Sequence, residues 1–126
     1  MDDLVVQLDE VLEEYNEEFD EAVNRAMFAV ANEAAEKLKA ISPQRRGHTK
    51  YANGWTVDSD FDEKTFIVYN KTQPGLTHLL ENGHIKRNQY GTYDGRVEGI
   101  KHIKPVEEWA NLKVESRIEM ELNNVK

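Results

Sequence analysis

The stretch THLLENGHIKRNQYG, residues 77–91, concentrates side chains that can do chemistry. His78 and Glu81 are three residues apart, so on a helix they share one face, and His84 follows shortly after. Two imidazoles and a carboxylate are typical ligands of a zinc or non-haem metal site, and they are also typical general acids and bases. The alternative is that this stretch forms a surface that docks onto another molecule.

The spacing of these residues argues against a metal or catalytic site. A metal site needs a third firm ligand, and only His84 or His102 is a candidate. The sequence has no HExxH or His-x-His motif. A nuclease with His84 as the base and Asn88 nearby lacks a second histidine or an acidic cluster at a recognisable spacing. Ser42 and Ser59 lack any nucleophile motif. We therefore expect no catalytic residue, no metal and no cofactor.

Composition limits the remaining classes of protein. A chain of 126 residues fits one domain, and its 32% of charged residues suits a small body with much exposed surface. The absence of cysteine excludes disulfides and thiolate zinc sites. The N-terminal MDDLVVQLDE is acidic where a signal peptide is basic, and no apolar run approaches the length of a membrane span. We expect a soluble protein with no membrane partner and no small-molecule substrate.

Charge is distributed unevenly along the chain. The net charge is -8, yet residues 41–106 hold 10 basic and 7 acidic side chains, whereas residues 1–40 hold 3 basic and 12 acidic ones. All 7 glycines also lie between Gly47 and Gly99. Two acidic helical flanks therefore enclose a basic, glycine-rich middle, and the overall charge argues against a dedicated nucleic-acid binder.

Hydrophobic periodicity predicts two long helices. Apolar residues from Leu4 to Ile41 recur at steps of three and four, which predicts a helix over residues 1–41 that ends before Pro43. At 1.5 Å per residue it would be on the order of 55 Å long, so we expect its first half to protrude or to meet another subunit. A similar apolar stripe predicts a C-terminal helix over residues 105–122.

The middle, residues 54–104, is predicted to be rich in β-structure. The runs GWTVDSD and KTFIVYN alternate like strands of a hairpin. A short helix is expected over residues 75–82, closed by Gly83, and the glycine-rich residues 86–100 predict an exposed hairpin arm. The expected fold class is α+β, with both long helices packed on a small antiparallel sheet in a single domain, residues 1–126. The predicted core contains Trp55, Phe66, Val68, Leu79, Leu80, Trp109 and Ile118.

Three short motifs then follow one another in a specific order. They supply Pro43, Gly47, Lys50, Tyr51 and Trp55, then Tyr69, Asn70, Leu80, Glu81, Gly83 and His84, and finally His102, Ile103 and Pro105. In this order, over roughly residues 25–122, the chain resembles the neck or tail-completion proteins of long-tailed bacteriophages, often labelled minor tail components. It departs from them at Arg46-Gly47, where threonine-glycine is common, and in its long acidic first helix.

The resemblance implies a non-enzymatic structural protein of the phage head-tail connection, made in the host cytoplasm and located at the head-tail junction of the virion. Its expected partners are further copies of itself in a ring and the neighbouring head-connector and tail proteins. Genomic DNA would pass through without specific binding. The basic arm is expected to meet the acidic helix of a neighbouring copy. Candidate docking residues are Arg45, Arg46, Lys50, Tyr51, Glu81, Gly83, His84, Lys86, Arg87, Arg96, Lys101 and His102.

Three other functions stay open. A small nucleic-acid-binding protein would use the basic middle segment, with its tyrosines as stacking groups. A small metal-dependent hydrolase or toxin would use His78, Glu81 and His84. A coiled-coil adaptor would depend on the first helix alone.

Overall fold

The computed structural model describes residues 4–7, 17–44, 49–87, 89–91 and 93–123. Within these residues the elements in chain order are β1 (Leu4–Gln7), α1 (Glu17–Ile41), β2 (Trp55–Asp60), β3 (Thr65–Asn70), α2 (Thr77–Asn82), β4 (Gly83–Arg87), β5 (Tyr93–Glu98) and α3 (Ile103–Asn123). Short 3-10 turns, Ala52–Gly54 and Pro74–Leu76, lead into β2 and α2. The class is α+β, as predicted.

Strand β3 is the centre of a three-stranded antiparallel sheet in the order β1-β3-β2. Its residues alternate between half-buried and buried, with Phe66, Val68 and Asn70 facing inward. Leu4 of β1 and Val57 of β2 both pair with Val68, one on each side. The predicted hairpin of β2 and β3 is therefore confirmed, and its period of two follows from one buried face.

The two long helices cover this sheet. Helix α1 buries a stripe at steps of three and four that includes Val23, Met27, Val30 and Leu38, all fully inaccessible. It packs against both the sheet and α3. A bidentate ion pair between Arg117 of α3 and Glu33 of α1, at 2.8 and 2.9 Å, joins the outer faces of the two helices. No helix in the described part of the chain is long and apolar enough to cross a membrane.

Strands β4 and β5 form a separate antiparallel hairpin, so the predicted arm does contain a hairpin. The register shifts between Ile85 and Arg87, which bends the hairpin at a bulge. The hairpin begins at Gly83, where φ is 80°. A Cβ at this position would come within 2.4 Å of the Val97 carbonyl oxygen, so glycine is required for the close approach of the two strands.

The predicted first helix is confirmed only from residue 17 onward. Placing Leu4 at the start of that helix was wrong, because Leu4–Gln7 forms an edge strand. The sequence LVVQ has two adjacent β-branched residues, and its backbone pairs with β3, where Leu4 becomes buried. Residues 8–16, which include the acidic half of the expected protruding segment, lie outside the described residues.

The strand assignment predicts a large cost for a substitution at Leu4. Leu4→Ala should lower the free energy of unfolding by about 2–4 kcal/mol, because it opens a cavity under the sheet. Leu112→Ala, at a side chain 79% exposed on α3, is the control and should change it by less than about 0.5 kcal/mol. Urea unfolding followed by circular dichroism measures both. Equal, small effects would contradict the packing of β1.

Candidate functional site

A buried carboxylate joins α2 to the start of α3. Glu81, in the last turn of α2, is only 8% exposed. Its oxygens accept hydrogen bonds from three consecutive backbone N–H groups, those of His102, Ile103 and Lys104, at 2.7, 2.9 and 3.1 Å. The first N–H groups of a helix have no carbonyl partner within the helix. Glu81 therefore caps α3 from a different element.

The imidazole of His102 extends this connection to the loop before β2. Its Nδ1 lies 2.9 Å from Glu81 Oε1 and 2.8 Å from the carbonyl oxygen of Ile100. Both neighbours are acceptors, so Nδ1 carries the proton. Its other ring nitrogen, Nε2, is hydrogen-bonded to the hydroxyl of Tyr51 at 2.7 Å. The three side chains form one continuous chain of hydrogen bonds.

Two opposing effects set the pKa of Glu81. Burial raises it, because a desolvated carboxylate is less stable than a neutral carboxyl. The three backbone N–H groups and the nearby His102 lower it, and the net pKa lies below the usual 4.5. Glu81 is therefore ionised at neutral pH, which also favours its position at the positive end of the α3 dipole.

A carboxylate, an imidazole and a hydroxyl in sequence are the parts of a nucleophilic relay, but here they are enclosed. His102 is fully buried and Tyr51 is 5% exposed. The hydroxyl of Tyr51 is used to reach His102, and the carboxylate is used to cap α3. The arrangement holds three segments of the chain together rather than presenting a reactive atom.

A second buried network holds the segment between α1 and β2. Trp55 donates from Nε1 to Ser42 Oγ at 2.7 Å, and this hydroxyl donates to the carbonyl oxygen of Leu38 at the end of α1. Asn70 donates from Nδ2 to the carbonyl oxygen of Tyr51 at 2.7 Å. Five residues of the three sequence motifs thus form hydrogen bonds inside the protomer: Tyr51, Trp55, Asn70, Glu81 and His102.

The residues proposed for docking divide into three groups. Tyr51, Glu81 and His102 lie inside the protomer, as just described. Gly83 is also buried, at the start of β4. Those with described side chains near the surface are Lys50, His84, Lys86, Arg96 and Lys101. Arg45 and Arg46 lie outside the described residues, and Arg87 is described only as the last backbone position of β4.

The proposed hydrolase or metal cluster is not formed by the residues that the structure describes. His78 is exposed, and its Nδ1 pairs with the side-chain amide of Asn82 at 3.1 Å. Glu81 faces the opposite way, toward α3. The described residues contain no group of three histidine, aspartate or glutamate side chains placed to hold a metal ion. His84 Nδ1 is buried without a hydrogen-bond partner in the described part of the chain.

A groove of 420 Å³ opens between α2, the β4–β5 hairpin and the segment after α1. We call it the apolar groove; it is lined mainly by Leu76, Leu79, Leu80, His84, Val97 and Ile100. The prediction of Leu79 in the core was wrong, since Leu79 is 37% exposed in this groove. Thr77 and Glu81 take the inward face of α2, which places Leu79 on its outward face.

The surroundings of the groove are basic. Residues 41–53 and 71–104, which together contribute its lining, hold nine lysines and arginines and three acidic residues. We call this region the basic pole. The sequence revealed its charge but not the groove, because its apolar members are separated along the chain. The sequence signal for the groove was the placement of Leu76, Leu79 and Leu80 between two glycines, Gly75 and Gly83.

Residues 58–63, which we call the acidic turn, comprise the end of β2 and the first residues of the turn into β3. Asp60 Oδ1 accepts the backbone N–H groups of Asp62 and Glu63, both at 3.1 Å, which fixes the turn. Phe61 packs on Phe28 and Phe66 with ring centroids 5.5 and 5.3 Å apart, yet remains 46% exposed. Aromatic side chains are enriched at protein interfaces, so the exposed ring of Phe61 marks a candidate contact surface.

The cap predicts a pH-dependent stability difference. Glu81→Gln should lower the free energy of unfolding at pH 7 by about 1.5–3 kcal/mol, because charge-assisted hydrogen bonds are replaced by neutral ones. The pKa of Glu81 is lower in the folded protein than in the unfolded chain, so its carboxylate stabilises the fold at pH values above the unfolded pKa. This stabilisation is lost as the pH falls through the folded pKa. The difference in the free energy of unfolding between Glu81→Gln and the wild type should therefore shrink as the pH falls below 4.5.

Glu107→Gln is the matched control, because it removes the same charge near the start of α3 from an exposed side chain. It should change the free energy of unfolding by less than about 0.5 kcal/mol at either pH. Urea titrations at neutral and acid pH measure all three proteins. A Glu81→Gln deficit that persists unchanged in acid would contradict the ionised cap.

Comparison with known proteins places the chain in a family. Residues 7–83, more than half of the chain, match the family model described as "Bacteriophage HK97-gp10, putative tail-component". No curated protein and no solved structure matches the chain. The family match confirms the resemblance to phage neck and tail proteins. A tail component is a structural protein of the virion that contacts other virion proteins. The chain belongs to the HK97-gp10-like family of bacteriophage tail components.

Proposed function

We propose that this tail component is a non-enzymatic subunit of the phage head-tail connection, where it completes the tail as part of a ring. The observation that supports the proposal is the separation of charge onto the basic pole and the acidic turn. A subunit whose complementary surfaces lie at different places associates head to tail, and such contacts close into a ring when the rotation permits.

The docking element in this proposal is the β4–β5 hairpin together with the segment after α1. Lys86 and Arg96 are exposed on the hairpin, and Lys101 is exposed three residues after β5. The sequence of the segment after α1 also contains Arg45 and Arg46, which lie outside the described residues. Positive side chains on such an element steer it toward acidic surfaces of neighbouring subunits and speed association. The neighbours are further copies, head-connector proteins and tail proteins.

Genomic DNA is expected to pass through this assembly without specific binding. The net charge of -8 opposes close contact with phosphates, which bind to proteins mainly through lysine and arginine. A basic pole that is covered by acidic protein surfaces in the ring is not available to phosphates. The subunit would therefore line or surround a DNA path without gripping the DNA.

A small nucleic-acid-binding protein is the second candidate function. The nine cations of the basic pole favour it, and Tyr90, 82% exposed, is placed to stack on a base. Tyr51 does not support it, because its ring is buried. Salt-sensitive binding of the purified protein to single- or double-stranded DNA would favour this candidate over the structural one.

Reversing charge on the hairpin tests the proposed function. Lys86→Glu, Arg87→Glu and Arg96→Glu in one chain should reduce the infectious titre of a complemented deletion phage on the order of tenfold or more, because each reversed charge repels an acidic partner. Electron microscopy of the lysate should show heads and tails that accumulate unjoined.

The control carries Lys39→Glu and Lys113→Glu on the helices away from the hairpin; Lys39 is half-buried and Lys113 is exposed. It should complement the deletion phage like the wild type. Circular dichroism should show that both variants retain the fold. If the triple variant complements fully, the hairpin is not an electrostatic docking element. If the deletion phage joins heads to tails normally, the proposed function is wrong.

A further inference from the structure

The apolar groove and the acidic turn lie at opposite ends of the β2–β3 hairpin. Asn70, the last residue of β3, bonds to the backbone of Tyr51, whose side chain lines the groove. The acidic turn, residues 58–63, lies at the other end of these two six-residue strands. Six residues of strand span about 20 Å. The acidic turn therefore cannot reach the groove of its own copy.

The groove is unusually apolar for an exposed surface. Leu76, Leu79, Val97 and Ile100 are 37, 37, 40 and 58% exposed and lie together along it. A cluster of large apolar side chains of this kind typically marks a protein interaction site. His84 also lines the groove, and its buried Nδ1 has no hydrogen-bond partner in the described part of the chain.

Cations border this groove. Lys86 lies two residues after the groove residue His84 in β4, at the register shift between Ile85 and Arg87. Lys50 precedes Tyr51, another lining residue. Both lysines are exposed, and neither forms an ion pair with the residues that the structure describes. The groove thus offers apolar contact at its centre, with these two lysines next to its lining residues in the chain. Glu98 also lines the groove, and its carboxylate is ion-paired with Arg96 at 3.5 Å.

The acidic turn offers the complementary chemistry. Phe61 exposes an aromatic ring at the turn, and Asp58, Asp62 and Glu63 surround it with carboxylates that are exposed. None of these three has an ion-pair partner within the described ranges. The turn is fixed in advance, because Asn24 of α1 donates to the carbonyl oxygen of Phe61 at 2.9 Å. An element that is already ordered before binding loses little conformational entropy when it binds.

We propose that the acidic turn of one copy docks into the apolar groove of the next copy, with Phe61 over the leucines and the carboxylates facing Lys50 and Lys86. The contact is heterologous, so it repeats from copy to copy. The inference deepens the proposed function, since it rests on the ring and names the two surfaces that would build it.

Another exposed apolar surface fits the groove less well. Leu112 and Met120 on α3 are 79 and 61% exposed, but they lie about 12 Å apart along the helix, at 1.5 Å per residue, so they do not form one apolar projection. DNA matches the cations but not the apolar lining, because phosphates gain nothing from leucine side chains. The acidic turn matches both features.

Disulfide trapping tests the contact directly, because the chain has no cysteine. Ser59→Cys, in the exposed acidic turn, and Ile100→Cys, in the groove, are prepared as two separate proteins, one with a size tag. Mixing them under mild oxidation should give the mixed disulfide about tenfold faster than Ser59→Cys mixed with Leu112→Cys, as expected for a contact that raises the effective concentration. Non-reducing gels measure the rates.

Charge reversal supplies the second arm of the experiment. Adding Lys50→Glu and Lys86→Glu to the groove protein should slow the mixed disulfide about tenfold. Adding Asp58→Lys and Asp62→Lys to the turn protein should then restore the rate. If the wild-type pair reacts no faster than the Leu112→Cys control, or if the second reversal fails to rescue the first, the contact is overturned.

These outcomes separate the contact from the proposed function. If the deletion phage accumulates unjoined heads and tails but the mixed disulfide forms no faster than in the control, the head-tail role is supported and this contact is wrong. If the mixed disulfide forms selectively but the deletion phage still joins heads to tails, the contact between copies is supported and the proposed head-tail role is wrong. If DNA added to the mixture suppresses trapping selectively at low salt, the groove binds DNA and the proposed occupant is wrong.

Discussion

The fold depends on one capped helix end. The carboxylate of Glu81 accepts hydrogen bonds from three backbone N–H groups at the start of α3. Through His102 it also connects to Tyr51 in the loop before β2. These residues come from three parts of the chain, so their bonds fix how α2, α3 and the sheet are arranged. A buried charge is costly unless it is fully hydrogen-bonded, and here the backbone supplies those bonds. The same constraint places the start of the β4–β5 hairpin, because Gly83 follows Glu81 within two residues.

The chain order of the elements could be predicted from local pattern. The periodicity of three and four found α1 and α3, and the alternation of TFIVYN found β3. The position of β1 could not be found this way. LVVQ fits the apolar steps of a helix as well as a strand, and the choice depends on pairing with β3 about sixty residues later. Leu79 was misplaced for a related reason: six residues of α2 are too few for a period to show which face is buried.

The arrangement of the candidate site was not predicted. Sequence reasoning named Tyr51, Glu81 and His102 as docking candidates, whereas the structure buries all three in one hydrogen-bonded chain. Nothing in the sequence could show that Glu81 points to the backbone of α3 or that His102 is fully buried. The motif residues that carry the family resemblance turn out to be mostly internal. Their hydrogen bonds need specific atoms at specific places, which explains why short polar motifs identify this fold better than its apolar residues do.

A framework held by internal polar bonds leaves the surface free to specify partners. Neither the apolar groove nor the acidic turn contributes to the hydrogen bonds of Glu81, apart from sharing α2 and the hairpin that they position. Both surfaces keep large apolar side chains exposed, which costs solubility in an isolated protein. The surrounding charges offset that cost by keeping the isolated protein hydrated. In the ring that we propose, complementary charges would bring copies together only when opposite ends meet, so the separation of charge along the chain would serve the subunit both before and after assembly.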